Sequence, residues 1–140
     1  MQYIYDGYNY TLRLDRGEPL ITTLTKFVKE KQIKTTWVNG LGGASWAELG
    51  FYDLNNQQYQ WRRFDELLEI TALQGNVAWK DDEPVLHIHG TFSNHDYHAI
   101  GGHVKELEVG GTCELHLHTI FKEALSRSTD PATGLTLLTM

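Results

Sequence analysis

Along most of this chain apolar and polar residues alternate with a period of two, and in one stretch they recur with a helical period. Tyr10-Thr-Leu-Arg-Leu14 is the first alternating run and reads as a strand. Leu20, Ile21, Leu24, Phe27 and Val28 then form one continuous helical stripe. Gly17-Glu18-Pro19 supplies a helix start, and the stripe runs out near Lys31-Gln32, so a long amphipathic helix is expected over about residues 18–32, covering a sheet. Strands follow at Thr35–Asn39, Ala44–Asp53 and Gln58–Phe64, with Tyr59 and Trp61 on one face of the last. Asn55-Asn56 marks the turn between the last two.

Leu67–Leu73 and Val77–Trp79 are strands separated by Gln74-Gly75-Asn76, a turn or bulge. Lys80-Asp-Asp-Glu-Pro84 is a tight polar turn into the strand of His87. Glu108–Gly111 forms a further turn before Cys113–Thr119, which places Glu114, His116 and His118 on one face and Cys113, Leu115 and Leu117 on the other. Ile120–Ser126 is expected as a helical turn, Asp130-Pro131 as a break, and Leu135–Leu138 as a last strand. No repeat, linker or low-complexity segment interrupts this pattern. The expected fold is one α+β domain, 1–140, built on antiparallel sheet.

The histidines change the picture most. All seven lie between His87 and His118, five of them in VLHIHGTFSNHDYHAIGGH, residues 85–103. On a strand His87 and His89 share a face with their Cα atoms ~6.6 Å apart, so both imidazoles can converge on one ion. Gly90 and Gly101-Gly102 let the chain turn and bring in His103 as a third ligand. Neutral imidazoles suit zinc, copper, iron or nickel, and zinc is the first expectation for a divalent metal here. Three histidines leave one coordination position open, as in catalytic zinc sites, where bound water is acidified. Asp96 and Glu69 are the carboxylates to test as a hydrogen-bond partner of a ligand or as a general base. His116 and His118 would extend the site if their strand paired next to that of His87, and otherwise form a polar face. His95 and His98 lie in a loop that could cover the site. Arg127 and Asp130 are read as an ion pair or a turn.

Charge limits the partners. The net charge is −6, and the nearest approach to a basic patch, Lys26, Lys29, Lys31 and Lys34, alternates with apolar residues and reads as the solvated face of the helix. Affinity based on phosphate neutralisation needs more than that. The Gly40-Leu-Gly-Gly43 run lacks the spacing and the following helix of a phosphate-binding loop, and reads as tight packing. Cys113 has no partner for an intrachain disulfide and reads as a small buried residue. No window approaches a membrane span, and the first residues do not read as a signal peptide. The expectation is a cytoplasmic protein.

Several blocks, in order, resemble the plant-and-prokaryote-conserved (PPC) domain family. They are Arg13-Leu14 with Gly17-Glu18, Gly40–Ala44 leading to Ala47–Asp53, Leu68–Asn76, Pro84–His89, Ser93, Asp96, Gly101-Gly-His103, and finally Arg127, Asp130 and Thr133-Gly-Leu135. The resemblance spans about Tyr10 to Leu138. It implies a curved, mainly antiparallel sheet, assembly as a homotrimer, and a metal, usually zinc, on His87, His89 and His103. Plant members add AT-hook arms and act in gene regulation; no such RGRP-like arm occurs here. Two functions follow. The first is a homotrimeric metal-binding module, DNA-binding or transcription-related, with a DNA or protein partner. The alternative is a metal-dependent hydrolase or lyase using the open position.

Overall fold

The computed structural model describes residues 1–120 and 124–139. Among the described residues nine strands and one helix follow in the order β1 (Gln2–Tyr5), β2 (Asn9–Asp15), α1 (Leu20–Glu30), β3 (Thr36–Asp53), β4 (Gln58–Phe64), β5 (Leu68–Lys80), β6 (Glu83–Ser93), β7 (Ala99–Thr119), β8 (Ser126–Thr129) and β9 (Thr136–Thr139). The sheet is antiparallel except for one parallel contact, Trp79 with Ser126. β3 pairs with β5 and β7, and β6 pairs with both β5 and β7. Those four pairings close a ring, so the sheet curls on itself around the core. β1 and β2 extend it on one side, and the β8–β9 hairpin on the other.

The helix is 11 residues, shorter than the 18–32 expectation. Pro19 stands at its N-cap with extended backbone, and no side-chain cap is local. Instead Ile21 and Thr22 donate their backbone N–H groups to the carboxylate of Glu106 on β7, at 2.7 and 3.0 Å. At the other end Gln32 takes a left-handed φ of 53°, Gln32 N–H reaches Lys29 O, and Ile33 N–H reaches Val28 O. This is a Schellman stop, with Ile33 and Val28 both buried in the same core. The buried stripe Leu20, Leu24, Phe27 and Val28 joins Leu12, Leu14, Val38, Ile88, Leu115 and Leu117 in one core.

Several expected breaks are not breaks. All of Thr35–Asn39 but its first residue, and all of Ala44–Asp53, belong to the single strand β3, because Gly40 and Gly42 let it lie against β7: a Cβ on Gly42 would come within 2.2 Å of Thr112 O. Gln74-Gly75-Asn76 runs inside β5, where a Cβ on Gly75 would lie 2.1 Å from His87 O. That glycine serves a close approach of two strands and makes no turn. Glu108–Gly111 likewise stays within β7. Between the pairs Ala44–Val109 and Gly42–Cys113, residues 110–112 face Gly43 alone, so the glycines form a bulge that bends the strand. The 80–84 turn is present, with Asp81 and Asp82 both at positive φ. β1 and β8 were not anticipated. The Ile120–Ser126 helical turn falls partly on residues 121–123, outside the described residues, and Ser126 begins β8. Cys113 is buried, which pushes its thiol up to about 12. Among the described residues no helix is long and apolar enough to cross a membrane.

Candidate metal centre

β6 and β7 meet with His89 opposite His103 and Gly90 opposite Gly102. Directly opposed residues point to the same face, and His87, two positions along β6, shares it. One potential ligand atom from each of the three histidines lies within 4.8 Å of the other two. Ring centroids are 5.1 Å apart for His87–His89, 5.3 Å for His87–His103 and 5.4 Å for His89–His103. The Nε2 atoms of His87 and His89 approach to 3.2 Å. Tetrahedral zinc with Zn–N of ~2.0–2.1 Å separates its ligand nitrogens by ~3.3–3.4 Å, so this pair is spaced for one ion. Nδ1 of His103 is buried without a hydrogen-bond partner. The donor set therefore fits a divalent transition metal: neutral imidazoles, convergent, with a ring nitrogen left unsatisfied.

The surroundings of His87 and His103 favour the neutral form of both rings. Burial, then His87, His89 and Arg127, hold His103 down to about 4. Burial, then Arg127 and His89, lower His87 as well. Metal binding needs the unprotonated ring, so the depression favours it.

An aromatic wall backs His103. Its partner on β3 is Gly50, whose own partner on β4 is Trp61. A Cβ at Gly50 would meet the Trp61 ring at 2.5 Å and Tyr59 at 2.8 Å. The glycine thus lets the stacked Tyr59 and Trp61 rings fold over towards His103, at 5.0 and 6.1 Å between centroids. A cavity of about 1000 Å³ opens beside the triad, walled by Tyr59, Val85, Leu86, Leu135 and Leu137, and by Arg127.

Arg127 was misread. It makes no ion pair with Asp130, whose carboxylate instead takes the N–H and hydroxyl of Thr133 in the turn after β8. Arg127 donates to Asn76 Oδ1 at 2.6 Å and to Thr136 O at 2.8 Å. Asn76 is the β5 neighbour of His87, which is how this guanidinium comes to the triad. Without that register, nothing in the spacing of the chain joins residue 127 to residue 87.

The other candidates lie elsewhere. Asp96 sits at the tip of the β6–β7 hairpin, exposed and beside His95. Glu69 is level with Ser93, four positions along β6 from His89 and so ~13 Å away by strand rise. Neither lines the cavity. His98 shares the hairpin tip with His95. His116 and His118 are separated from β6 by β3 and β5, through Asn39 and Gln74 in one row and Trp37 and Asn76 in the other. They do not extend the triad.

A curled antiparallel sheet that converges three imidazoles beside a cavity defines a β-rich protein with the donor set of a metal centre. The chain belongs to the Plants and Prokaryotes Conserved (PCC) domain family, whose model matches residues 1–121. No curated protein matches it in sequence. A metal-containing protein from Archaeoglobus fulgidus is 33% identical over 100% of this chain and 99% of its own, with a TM-score of 0.89. A plant- and prokaryote-conserved protein from Pyrococcus horikoshii is 29% identical, covers 99% and 95%, and also scores 0.89. A candidate DNA-binding protein from Bacteroides thetaiotaomicron is 28% identical, covers 99% and 96%, and scores 0.95.

Proposed function

We propose that this chain is a single-domain metal-binding PPC protein, holding zinc on His87, His89 and His103, that works in the cytoplasm as a homotrimeric regulatory or interaction module. The observation that carries the metal is the convergence of three potential ligand atoms within 4.8 Å. A metal-containing relative at 33% identity supports it. When bound, the ion supplies a Lewis acid with an open position. The chain's own residues do the rest. His103, backed by Tyr59 and Trp61, is held in its rotamer; Arg127, fixed by Asn76 and Thr136, sets the charge of the space in front.

Two observations weigh a module against an enzyme. No Asp or Glu lines the cavity among the described residues, so this chain brings no carboxylate general base to the site. The open cavity itself is what favours the alternative, a metal-dependent hydrolase or lyase. Relatives described as candidate DNA-binding proteins support a DNA partner. Charge argues for a protein partner: Lys26 and Lys29 on the helix face are paired with Glu30 and Glu83, and the chain carries −6. The homotrimer rests on the family resemblance, and sedimentation at three times 16.0 kDa tests it.

Elemental analysis of untagged protein decides the metal. One equivalent per chain is expected in the natural sequence and none in the His87→Ala/His89→Ala variant. Equal contents in both would remove the site.

A further inference from the structure

The chain has 18 acidic residues against 12 Lys and Arg, yet among the described residues the ionisable groups along the cavity, tyrosines aside, are all basic: His87, His89, His103 and Arg127. Arg127 is only 7% exposed. A buried guanidinium cannot escape its charge by losing a proton, and proteins answer such a charge with a carboxylate. None does so here. Both of its hydrogen bonds go to neutral oxygens, on Asn76 and Thr136, its Nε is buried without a partner, and no carboxylate lies within 4.0 Å of it among the described residues. Two of its five N–H donors are used, and the unanswered charge borders a cavity that no described acidic residue lines.

The same walls indicate the kind of anion. A phosphate ester carries nearly two charges and is ordinarily met by several cations or by a helix N-terminus. Among the described residues this cavity offers one permanent cation and no lysine, and α1 does not reach it. One guanidinium suits one carboxylate. Tyr59, Val85, Leu86, Leu135 and Leu137 then give the remainder of the ligand an apolar bed.

We propose that the cavity is a receptor site for a small monocarboxylate with an apolar body, whose carboxylate answers Arg127 and whose body lies along Tyr59, Leu135 and Leu137. The site shares its space with the imidazoles, so a cation on the triad strengthens anion binding, and the anion strengthens cation binding by the same factor. Only this coupling rests on the metal reading above; the Arg127 site stands without it. A regulatory module of this kind would respond to an organic acid and a metal together.

Calorimetric titration with butyrate, its neutral amide butyramide, and inorganic phosphate tests the idea on the whole chain, both zinc-loaded and after chelation. Butyrate is expected to bind at least 10-fold more tightly than butyramide or phosphate in either form, and more tightly with zinc than without. Arg127→Gln is expected to lose butyrate at least 10-fold while keeping its zinc content. Butyramide or phosphate binding as well as butyrate would overturn the proposal, as would a folded Arg127→Gln variant with unchanged affinity. The comparison of butyrate with butyramide on the natural sequence decides the matter even if that variant fails to fold. Butyrate binding by a protein that takes up no zinc would sink the metal centre and leave the receptor standing.

Discussion

His87-Ile-His89 and His116-Leu-His118 have the same spacing, each on a strand of the same sheet and each presenting two imidazoles to one face. They end in different environments. The first pair has ring centroids 5.1 Å apart, a third imidazole from the neighbouring strand, and a hairpin carrying Arg127 over it. The second pair lies 6.4 Å apart with its rings stacked, exposed, between Thr11 and Asn9 of β2 and Asn39 and Trp37 of β3. A pair of strand histidines becomes a candidate site only where the register supplies a third donor and the fold half-buries part of the group, here His87 and His103, while His89 stays exposed. Alternation alone yields a polar face.

The largest effect expected from this contrast is in metal affinity. Disturbing even a group that orients a metal ligand costs roughly 10–100-fold, so removing a ligand should cost at least ~100-fold. His103→Ala is expected to weaken zinc binding by that much in a chelator competition. His116→Ala/His118→Ala is expected to leave it unchanged. If both variants lost zinc equally, the two pairs would not differ as their geometry implies. Next comes Gly75→Ala, which drives a methyl group into His87 O at 2.1 Å. Backbone cannot yield as a side chain can, and overpacking of this kind costs about 1–3 kcal/mol. The urea midpoint should fall accordingly. Gly111→Ala, with nothing within 4 Å of the added carbon, is expected to be close to neutral.

The difference between the two histidine pairs also explains what the sequence could and could not show. Local signals were legible wherever the cause was local. The β4 boundaries, the 80–84 turn, the buried stripe of α1 and the alternating faces of Cys113–Thr119 follow from period and turn chemistry. The triad was legible because two donors share one strand and the third follows a double glycine within the same hairpin. Glycines misled where their role was a close backbone approach: Gly75 and Gly110 read as turns, yet Gly75 admits the next strand of its own hairpin and Gly110 a strand distant in sequence. The helix read as too long because its true start is fixed by Glu106, some 85 residues on. Arg127 and Asn76 meet only through sheet register, and Asp96 and Glu69 are near the triad in sequence or family pattern without being near it in space.

Acid should distinguish the covered triad by stability. His103 is held at about 4, first by burial, and His87 is lowered too, whereas the unfolded chain titrates near the ordinary 6.5. Between those values the unfolded state binds protons that the folded state refuses. The contribution of these two rings to the stability of the metal-free protein is therefore fully present above pH 6.5 and is lost as pH falls towards 4. Both rings are partly exposed, so solvent screening trims the effect to about 1–2 kcal/mol. Urea unfolding in chelator at pH 7.5 and 4.5 measures it, and His103→Gln should flatten part of the difference. A limb of the same size in that variant would mean that the triad does not carry it.

The smallest effect separates stability from the site. Glu106 lies three residues beyond His103 on β7 and caps α1 through Ile21 and Thr22, so the helix is tied to the triad half of β7. Its carboxylate takes the place of the absent local cap and sits at the positive end of the helix. Glu106→Ala frees two N–H groups and a hydroxyl at a partly buried junction and should cost about 1 kcal/mol, read as a lower urea midpoint. The imidazoles are positioned by the β6–β7 register, which that substitution does not touch, so zinc content should stay at one per chain. Loss of zinc along with the cap would show that the helix holds the triad in place, and that the two strand pairs of histidines differ in their support as well as in their cover.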